Sequence, residues 1–204
     1  MAEDHKIIVI GRSFGSGARK LGKELSRRLG IGFYDKELLA TASRDFGYSP
    51  DIFAQADEKK PSLLKRFVCQ SYGIQEAYQP ETLCGESLYQ AQSDVIKRIV
   101  AKGPCVIIGR TADYILRDHK HLLSIFLHAP DSHRVMNIME RGDAETEEKA
   151  LELARKIDKE RESYYNFFTG KRWGAASNYH LTMDSSMMTT ENLAEFIAGV
   201  YKNL

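Results

Sequence analysis

A glycine- and serine-rich segment near the start of the chain has residue types suited to phosphate chemistry. It follows an apolar run at residues 7–10 and reads Gly-Arg-Ser-Phe-Gly-Ser-Gly-Ala-Arg-Lys from Gly11 to Lys20. Glycines let successive backbone N–H groups converge on an anion, and a helix that begins there adds partial positive charge. The segment predicts a phosphate site made by Gly11, Ser13, Gly15, Ser16, Gly17, Ala18, Arg19 and Lys20. The alternative interpretation is a tight strand-to-helix turn that binds no ligand.

This glycine-rich loop (residues 11–17) departs from a regular phosphate-binding loop at one position. The lysine expected after Gly17 is replaced by Ala18, and the next residue is Arg19. An arginine carries the same charge, but its longer, planar side chain does not occupy a lysine pocket. We therefore expect Arg19 to reach phosphate from one step further along the helix, with Lys20 as the alternative.

A second candidate group repeats every three residues, at Arg155, Asp158 and Arg161. On a helix this spacing places the three side chains on an arc of about 120°, so all three are expected to face one cleft. Guanidinium groups fork onto phosphate oxygens, and a carboxylate between them holds them in place when no ligand is bound. The alternative is a solvated helix face with alternating charges.

Short apolar runs alternate with helical patterns along most of the chain. Runs of this length, bounded by glycine, proline or polar residues, are typical of strands buried on both faces of a parallel sheet. We predict strands at residues 7–10, 106–108, 122–127 and 180–184. Strands that alternate with helices predict right-handed crossovers and a three-layer α/β fold.

Residues at three helix ends predict how the helices begin and stop. A stripe of Leu21, Leu25 and Leu29 ends at Gly30, which is a helix C-cap signal. Asp131 is expected to cap a helix with apolar residues at 135 and 138, and Thr189 or Thr190 to begin the last helix.

The composition excludes several classes of protein. The chain has 29 Lys and Arg against 28 Asp and Glu, a net charge of +1, so nothing favours nucleic-acid binding. Its three cysteines share no metal-ligand spacing and, being odd in number, predict no disulfide framework. The N-terminus does not resemble a leader peptide, and the chain has no 18-residue apolar stretch. We therefore expect a soluble, cytoplasmic protein without membrane contact.

Several segments together resemble the cytidylate kinase-like family, a divergent branch of the P-loop nucleoside monophosphate kinases. They are residues 11–19, 29–39, 104–116, 158–165, 169–174 and 178–179. Each is weak alone, but the combination is specific and extends from residue 6 to about residue 186.

The resemblance implies a three-layer α/β/α P-loop NTPase fold with a parallel five-stranded sheet, an acceptor-binding insertion and a helical lid. The chain would then be a single domain. Its core would comprise residues 1–43, 96–140 and 176–204, its insertion residues 44–95 and its lid residues 141–175. We expect the lid to be mobile or open in the empty protein, because it concentrates arginines and lysines with little apolar surface before Tyr164.

The resemblance also implies roles for individual residues. Asp35 matches the aspartate that contacts the nucleoside monophosphate, and Arg110 matches the arginine that binds the acceptor phosphate. The aspartate that usually precedes the Gly-Arg pair is replaced by Ile108. Asp158 and Arg161 match the lid's Asp-x-x-Arg pattern.

Three features remain open at this stage. Arg155 lies near the lid pattern but out of register with the family's arginine. Arg141 is either the first lid arginine or a basic residue that complements a helix dipole. The aromatic residues from Tyr164 to Tyr179 either stack on a base or, as we expect for most of them, pack the lid onto the core.

The activity implied is an ATP- and Mg²⁺-dependent transfer of the γ-phosphoryl group to a nucleoside monophosphate, with CMP or dCMP as the first candidates. A non-catalytic nucleotide-binding or regulatory module and a kinase of another small acceptor are the alternatives. The protein is expected to be a monomer or a homodimer. Its expected partners are nucleotides. The insertion's apolar residues cover the core or form a dimer contact; they are Ile52, Phe53, Leu63, Leu64, Phe67 and Val68.

Overall fold

Five parallel strands form one sheet that lies between two layers of helices. The computed structural model describes residues 5–50 and 85–204. The strands are β1 (Ile7–Arg12), β2 (Gly32–Tyr34), β3 (Cys105–Ile108), β4 (Leu122–His128) and β5 (Leu181–Asp184), in the order β2-β3-β1-β4-β5. The helices are α1 (Ala18–Leu29), α2 (Lys36–Arg44), α3 (Gly85–Lys102), α4 (Ala112–Ile115), α5 (Asp131–Glu140), α6 (Glu147–Thr169) and α7 (Thr190–Lys202). The predicted three-layer α/β fold is confirmed.

The central strand β1 shows why its sequence is apolar without interruption. It pairs with β3 on one side and β4 on the other, so both of its faces are covered. Ile7 and Val9 pack in the layer of α2 and α3, whereas Ile8 and Ile10 pack in the layer of α1 and α7. All four side chains are fully buried, as expected for the middle of a parallel sheet.

The predicted helix ends are confirmed at two places and corrected at a third. Gly30 ends α1 with a φ of 65°, a left-handed conformation that glycine adopts without strain. The Thr189 hydroxyl accepts a hydrogen bond from the Asn192 N–H and caps α7. Asp131 is instead the first residue of α5, with Pro130 at the N-cap. Its carboxylate complements the helix dipole from the first turn and pairs with Arg134 at 3.2 Å.

The predicted boundary between insertion and core, at residues 95 and 96, falls inside α3. Leu88 and Ala91, on the N-terminal half of this helix, pack in the same cluster as Ile7 and Val9. The structure therefore places residues 85–95 with the core, because α3 is one continuous helix against the sheet. The six apolar insertion residues named above lie outside the described residues.

Two further observations concern the described part of the chain. Cys105 is a free thiol whose burial raises its pKa to about 12, while the other two cysteines lie outside the described residues. No helix within residues 5–50 and 85–204 has the length and apolar character needed to span a membrane.

Candidate active site

A cleft of about 300 Å³ lies at the carboxyl ends of the central strands. The chain from residue 12 to residue 19 forms much of its wall. The other lining residues are Asp35, Lys36, Glu37, Ile108, Arg141 and Arg161. The cleft therefore brings together most of the residues that the sequence singled out. Lys20 is exposed on α1 and does not line it.

The glycine-rich loop turns sharply between β1 and α1. Gly15 and Gly17 have φ values of 82° and 80°, which favour glycine. Ser16 is almost fully buried, and its hydroxyl donates a hydrogen bond of 2.8 Å to the Ser13 carbonyl. The first N–H groups of α1 have no acceptor within the helix, and Gly17 at the N-cap has no side chain to occupy them. These donors suit an anion.

Gly11 belongs to β1 and not to the wall of this cleft. A Cβ at this position would lie 3.1 Å from the Phe126 ring and 3.3 Å from the Tyr179 ring. Glycine at this position allows β1 to pack closely against the two rings, and its part in phosphate binding stays a prediction.

Two helices hold the loop from outside through its backbone. The Phe14 N–H donates a hydrogen bond of 2.7 Å to Asp158 Oδ1, and Arg134 Nε donates one of 2.7 Å to the Phe14 carbonyl. Arg134 also pairs with Asp158 Oδ2, and Asn137 Nδ2 donates to the Gly15 carbonyl at 2.8 Å. Burial raises the pKa of Asp158, opposed by the Phe14 hydrogen bond and by Arg134 and Arg161. The loop is thus fixed in shape before any ligand binds.

Sequence reasoning missed Arg134 and Asn137. They are three residues apart on α5, so they lie on the same side of that helix. That spacing is their only signal in the sequence, and it does not indicate which segment they contact.

The structure separates the arginines predicted to share one cleft. Arg161 lines the cleft, and its Nη1 donates to the Arg12 carbonyl at 3.3 Å and lies 3.8 Å from Asp158 Oδ1. The Arg155 side chain is 70% exposed, pairs with Asp131 at 3.7 Å and does not line the cleft. The expected common cleft is therefore not formed: the arc of about 120° between Arg155 and Arg161 is wide enough for Arg155 to reach Asp131 on α5 instead.

Arg141 lies just beyond the end of α5 and lines the cleft. It pairs with Asp143 at 2.7 Å, and its guanidinium lies 5.0 Å from the centre of the Phe14 ring. The guanidinium of Arg161 lies 5.5 Å from the same ring. Phe14 therefore holds two arginines through cation–π contacts at the wall of the cleft.

Arg19 and Asp35 lie together on the opposite wall. Arg19 Nε donates to Asp35 Oδ2 at 2.8 Å, and Arg19 Nη2 donates to Glu37 at 2.7 Å. Burial lowers the pKa of Arg19, but the two carboxylates outweigh that effect and raise it. The other oxygen of Asp35 accepts from the Leu38 N–H and caps α2. The negative charges of Asp35 and Glu37 thus compensate the positive charge of Arg19, the residue that was expected to reach phosphate.

Arg110 lies beside the cleft on a strained turn. Gly109, Arg110 and Thr111 have consecutive φ values of 72°, 61° and 51°, and left-handed non-glycine residues cost about 1–2 kcal/mol each. Arg110 is 3% exposed and lines a second, smaller cavity of about 20 Å³. Arg12 and Arg161 line both cavities. Strain of this kind concentrates at functional sites.

The C-terminal half of α6 is docked onto the core by its aromatic residues. The Tyr165 hydroxyl donates to Asp113 Oδ2 at 2.8 Å, and the Tyr164 hydroxyl donates to Gln92 at 3.2 Å. Phe168 stacks on Tyr89 with a centroid distance of 4.3 Å. These contacts support packing over base stacking for these side chains. Burial also raises the pKa of Asp113, partly opposed by Tyr165.

The acidic residues of the cleft fit Mg²⁺ held chiefly by phosphate. Across residues 5–50 and 85–204, no three His, Cys, Asp or Glu side chains cluster to form a metal cage. Mg²⁺ in phosphoryl-transfer sites is bound by one or two carboxylates together with phosphate oxygens and water. Asp35 and Glu37 line the cleft and provide such carboxylates.

The parallel sheet and the glycine-rich loop between its central strand and α1 define a kinase-like P-loop fold. The chain belongs to the cytidylate kinase-like family, whose model matches residues 7–187. No curated protein sequence matches it.

Solved structures share the fold. An uncharacterized protein from Eubacterium ventriosum ATCC 27560 is 24% identical, with a TM-score of 0.72 over 98% of this chain and 100% of that chain. A gluconokinase from Sinorhizobium meliloti 1021 is 14% identical, with a TM-score of 0.52 over 97% and 94%. A shikimate kinase from Bacteroides thetaiotaomicron is 10% identical, with a TM-score of 0.53 over 97% and 98%. At these identities the likeness concerns the fold.

Proposed function

We propose that the protein is an ATP-dependent phosphotransferase, with CMP or dCMP as the first candidate acceptor. One observation carries the proposal: the N–H groups that begin α1 and the guanidinium of Arg161 border the same cleft. Both are groups that bind phosphate oxygens. Membership of the cytidylate kinase-like family supports the same activity.

In this mechanism the ATP phosphates rest on the loop and on the first turn of α1. Phosphoryl transfer depends on positioning and on neutralising the charge of the transferred group. Arg161 and Arg141 neutralise that charge from the wall that carries Phe14. Asp158 and Arg134 act by positioning the loop, which therefore needs little reorganisation during the reaction. Mg²⁺, held through phosphate oxygens near Asp35 and Glu37, would neutralise further negative charge there.

The acceptor is placed near Asp35 in this proposal, at the end of β2. A nucleoside monophosphate would present its own phosphate to Arg110, which lines the adjoining cavity. Because Arg110 is buried, that contact requires the β3–α4 turn to open or to admit the phosphate.

A kinase of a small hydroxyl compound is the second candidate. Ile108, not an aspartate, precedes the Gly-Arg pair and lines the cleft. This weakens the polar recognition that a nucleoside would need. The gluconokinase and shikimate kinase that share the fold are named for acceptors of this kind.

A nucleotide-binding module without turnover is the third candidate. It is favoured by Ala18 in the lysine position and by the compensated charge of Arg19. Such a module would bind ATP without consuming it.

An acceptor panel separates the three candidates. The protein is incubated with ATP and Mg²⁺ together with nucleoside monophosphates in one set and sugar acids or other hydroxyl acids in another. ADP and the phosphorylated product are both quantified. CDP or dCDP formation supports the first candidate, and turnover only in the second set supports the hydroxyl kinase. ATP binding without turnover supports the module, and no ATP binding contradicts all three.

A further inference from the structure

Arg12 is a cationic residue of the cleft that the sequence analysis did not single out. It is the last residue of β1 and directly precedes the turn of the glycine-rich loop. Its backbone is fixed in the sheet opposite Leu127 of β4, and its carbonyl accepts a hydrogen bond from Arg161. A site residue carried by a strand is placed more precisely than one carried by a loop.

The guanidinium of Arg12 lies against Gly109, in space that a side chain at residue 109 would occupy. A Cβ at Gly109 would lie 1.6 Å from Arg12 Nη1 and 2.6 Å from its Cζ, which is a direct overlap. Gly109 also has a φ of 72°, so its backbone independently favours glycine. Glycine at position 109 therefore leaves room for the Arg12 guanidinium at this place.

The glycine-rich loop has no cation in the position where regular phosphate-binding loops have a lysine. Ala18 replaces the lysine that contacts phosphate in regular phosphate-binding loops. Arg19, the cation next to it, is held by Asp35 and Glu37 on the far wall of the cleft. Arg12 lines the cleft from the start of the loop, and its planar guanidinium can fork onto two phosphate oxygens.

We propose that Arg12 binds the polyphosphate of ATP in place of the missing lysine and that Gly109 is the residue that positions it. This inference rests on the proposed function, since it assumes that ATP occupies the cleft. The positive charge that binds the ATP phosphates would then come from the end of β1 and not from the first turn of α1.

The first test measures nucleotide affinity by calorimetry for the wild-type protein and for Arg12→Gln. ATP and AMP are titrated separately. ATP affinity is expected to fall about tenfold or more in Arg12→Gln, because a hydrogen-bonded charge is lost from the phosphates. AMP, which lacks the β- and γ-phosphates, is expected to lose less than about threefold. Arg12→Lys should recover part of the ATP affinity because it restores the charge without the planar fork.

Arg117→Gln is the matched control for the loss of one arginine. Its side chain is about half exposed, pairs with Asp118 and lines neither cavity. Its ATP affinity should equal that of the wild type. An equal loss in Arg117→Gln and Arg12→Gln would mean that general electrostatics explains the effect, and it would overturn the inference.

The second test leaves Arg12 unchanged and replaces Gly109, the residue that its guanidinium contacts. Gly109→Ala should reduce ATP affinity by displacing the guanidinium. Gly30→Ala serves as its control, since that residue has a φ of 65° but no atom within 4 Å of the added methyl. This control introduces backbone strain without affecting the cleft, so its ATP affinity should not change. The double variant Arg12→Gln with Gly109→Ala should bind ATP no more weakly than Arg12→Gln, because both changes act through one side chain.

The outcomes separate this inference from the proposed function. If the wild type does not bind ATP, the proposed function fails and the inference fails with it. If the wild type binds ATP and Arg12→Gln binds it equally well, only the inference is overturned. Additive losses in the double variant would likewise contradict the positioning role of Gly109. Should Arg12→Gln fail to fold, as judged by circular dichroism, Gly109→Ala against Gly30→Ala decides the question.

Discussion

Asp158, in the middle of α6, accepts a hydrogen bond of 2.7 Å from the backbone N–H of Phe14, in the middle of the glycine-rich loop. The two residues are 144 positions apart in the chain. Arg134 connects them a second time, since it donates to the Phe14 carbonyl and pairs with Asp158. The shape of the loop is therefore set by two helices that follow it late in the sequence.

Replacing Asp158 with asparagine should destabilise the fold. Asparagine keeps an acceptor for the Phe14 N–H, but it removes from the largely buried Arg134 the more buried of the carboxylates Asp158 and Asp131 that pair with it. Breaking one side of such a pair is expected to lower the free energy of unfolding by about 3 kcal/mol. Urea unfolding measures the change. Asp118→Asn, at a side chain that is 90% exposed, should change it by less than about 0.5 kcal/mol. Equal effects would remove Asp158 from this structural role.

Two loop glycines differ in what surrounds them, although their backbones are alike. A Cβ at Gly15 would lie 2.8 Å from the Arg134 carbonyl, whereas one at Gly17 would meet no atom within 4 Å. Both Gly15→Ala and Gly17→Ala introduce left-handed strain of about 1–2 kcal/mol. The free energy of unfolding should fall by about 2 kcal/mol more in Gly15→Ala, because the added methyl also overlaps the backbone of Arg134. Thermal or urea unfolding of the pair tests this difference, and equal losses would contradict the close approach of α5.

Arg161 and Arg155 provide a direct test of which lid arginine is functional. Arg161→Gln should weaken ATP binding by about tenfold, because it removes a guanidinium from the wall of the cleft. Arg155→Gln should leave affinity within about twofold, since its partner is Asp131 outside the cleft. Calorimetric titration with ATP gives both values. A larger loss in Arg155→Gln would restore the arrangement predicted from helical spacing.

Asp113 should make stability depend on pH. Burial raises its pKa above the ordinary 3.8, so its protonated form is favoured in the folded state. The stability it contributes is fully present below that ordinary value and is lost as the pH rises through its folded-state pKa. Asp113→Asn cannot titrate and retains an acceptor for the Tyr165 hydroxyl. The unfolding free energy of the wild type minus that of Asp113→Asn should therefore fall as the pH rises above about 4. A flat difference would contradict the raised pKa.

The two halves of the predicted lid should differ in hydrogen exchange. Residues 141–149 are nearly all exposed, and Arg141 borders the cleft there. From Ala150 onward α6 is anchored by Ala154, Asp158 and the buried tyrosines, so the small apolar surface expected before Tyr164 includes two fully buried alanines. ATP should therefore slow exchange in residues 141–149, while residues 158–169 exchange slowly from the outset. Fast exchange throughout α6 in the empty protein would instead support a lid that includes the whole helix.

The sequence by itself determined the α/β class and the position of the glycine-rich loop. A strand buried on both faces must be continuously apolar, as residues 7–10 are, and a turn into a helix with two left-handed backbones must contain glycines, as residues 15 and 17 do. Gly30 and Thr189 were predictable for the same reason, since helix ends depend on residues close in the chain.

Only the tertiary structure decided which charged groups meet. Arg19 is adjacent to the expected lysine position, yet it pairs with Asp35 and Glu37 because β2 packs beside α1 and leads directly into the start of α2, where both carboxylates lie. Arg155 and Arg161 share a helix but face different surroundings. The guanidinium of Arg12 lies against Gly109, a residue that follows another strand, β3. Local patterns specify backbone conformation, whereas the partner of a side chain depends on segments that folding brings together from distant parts of the chain.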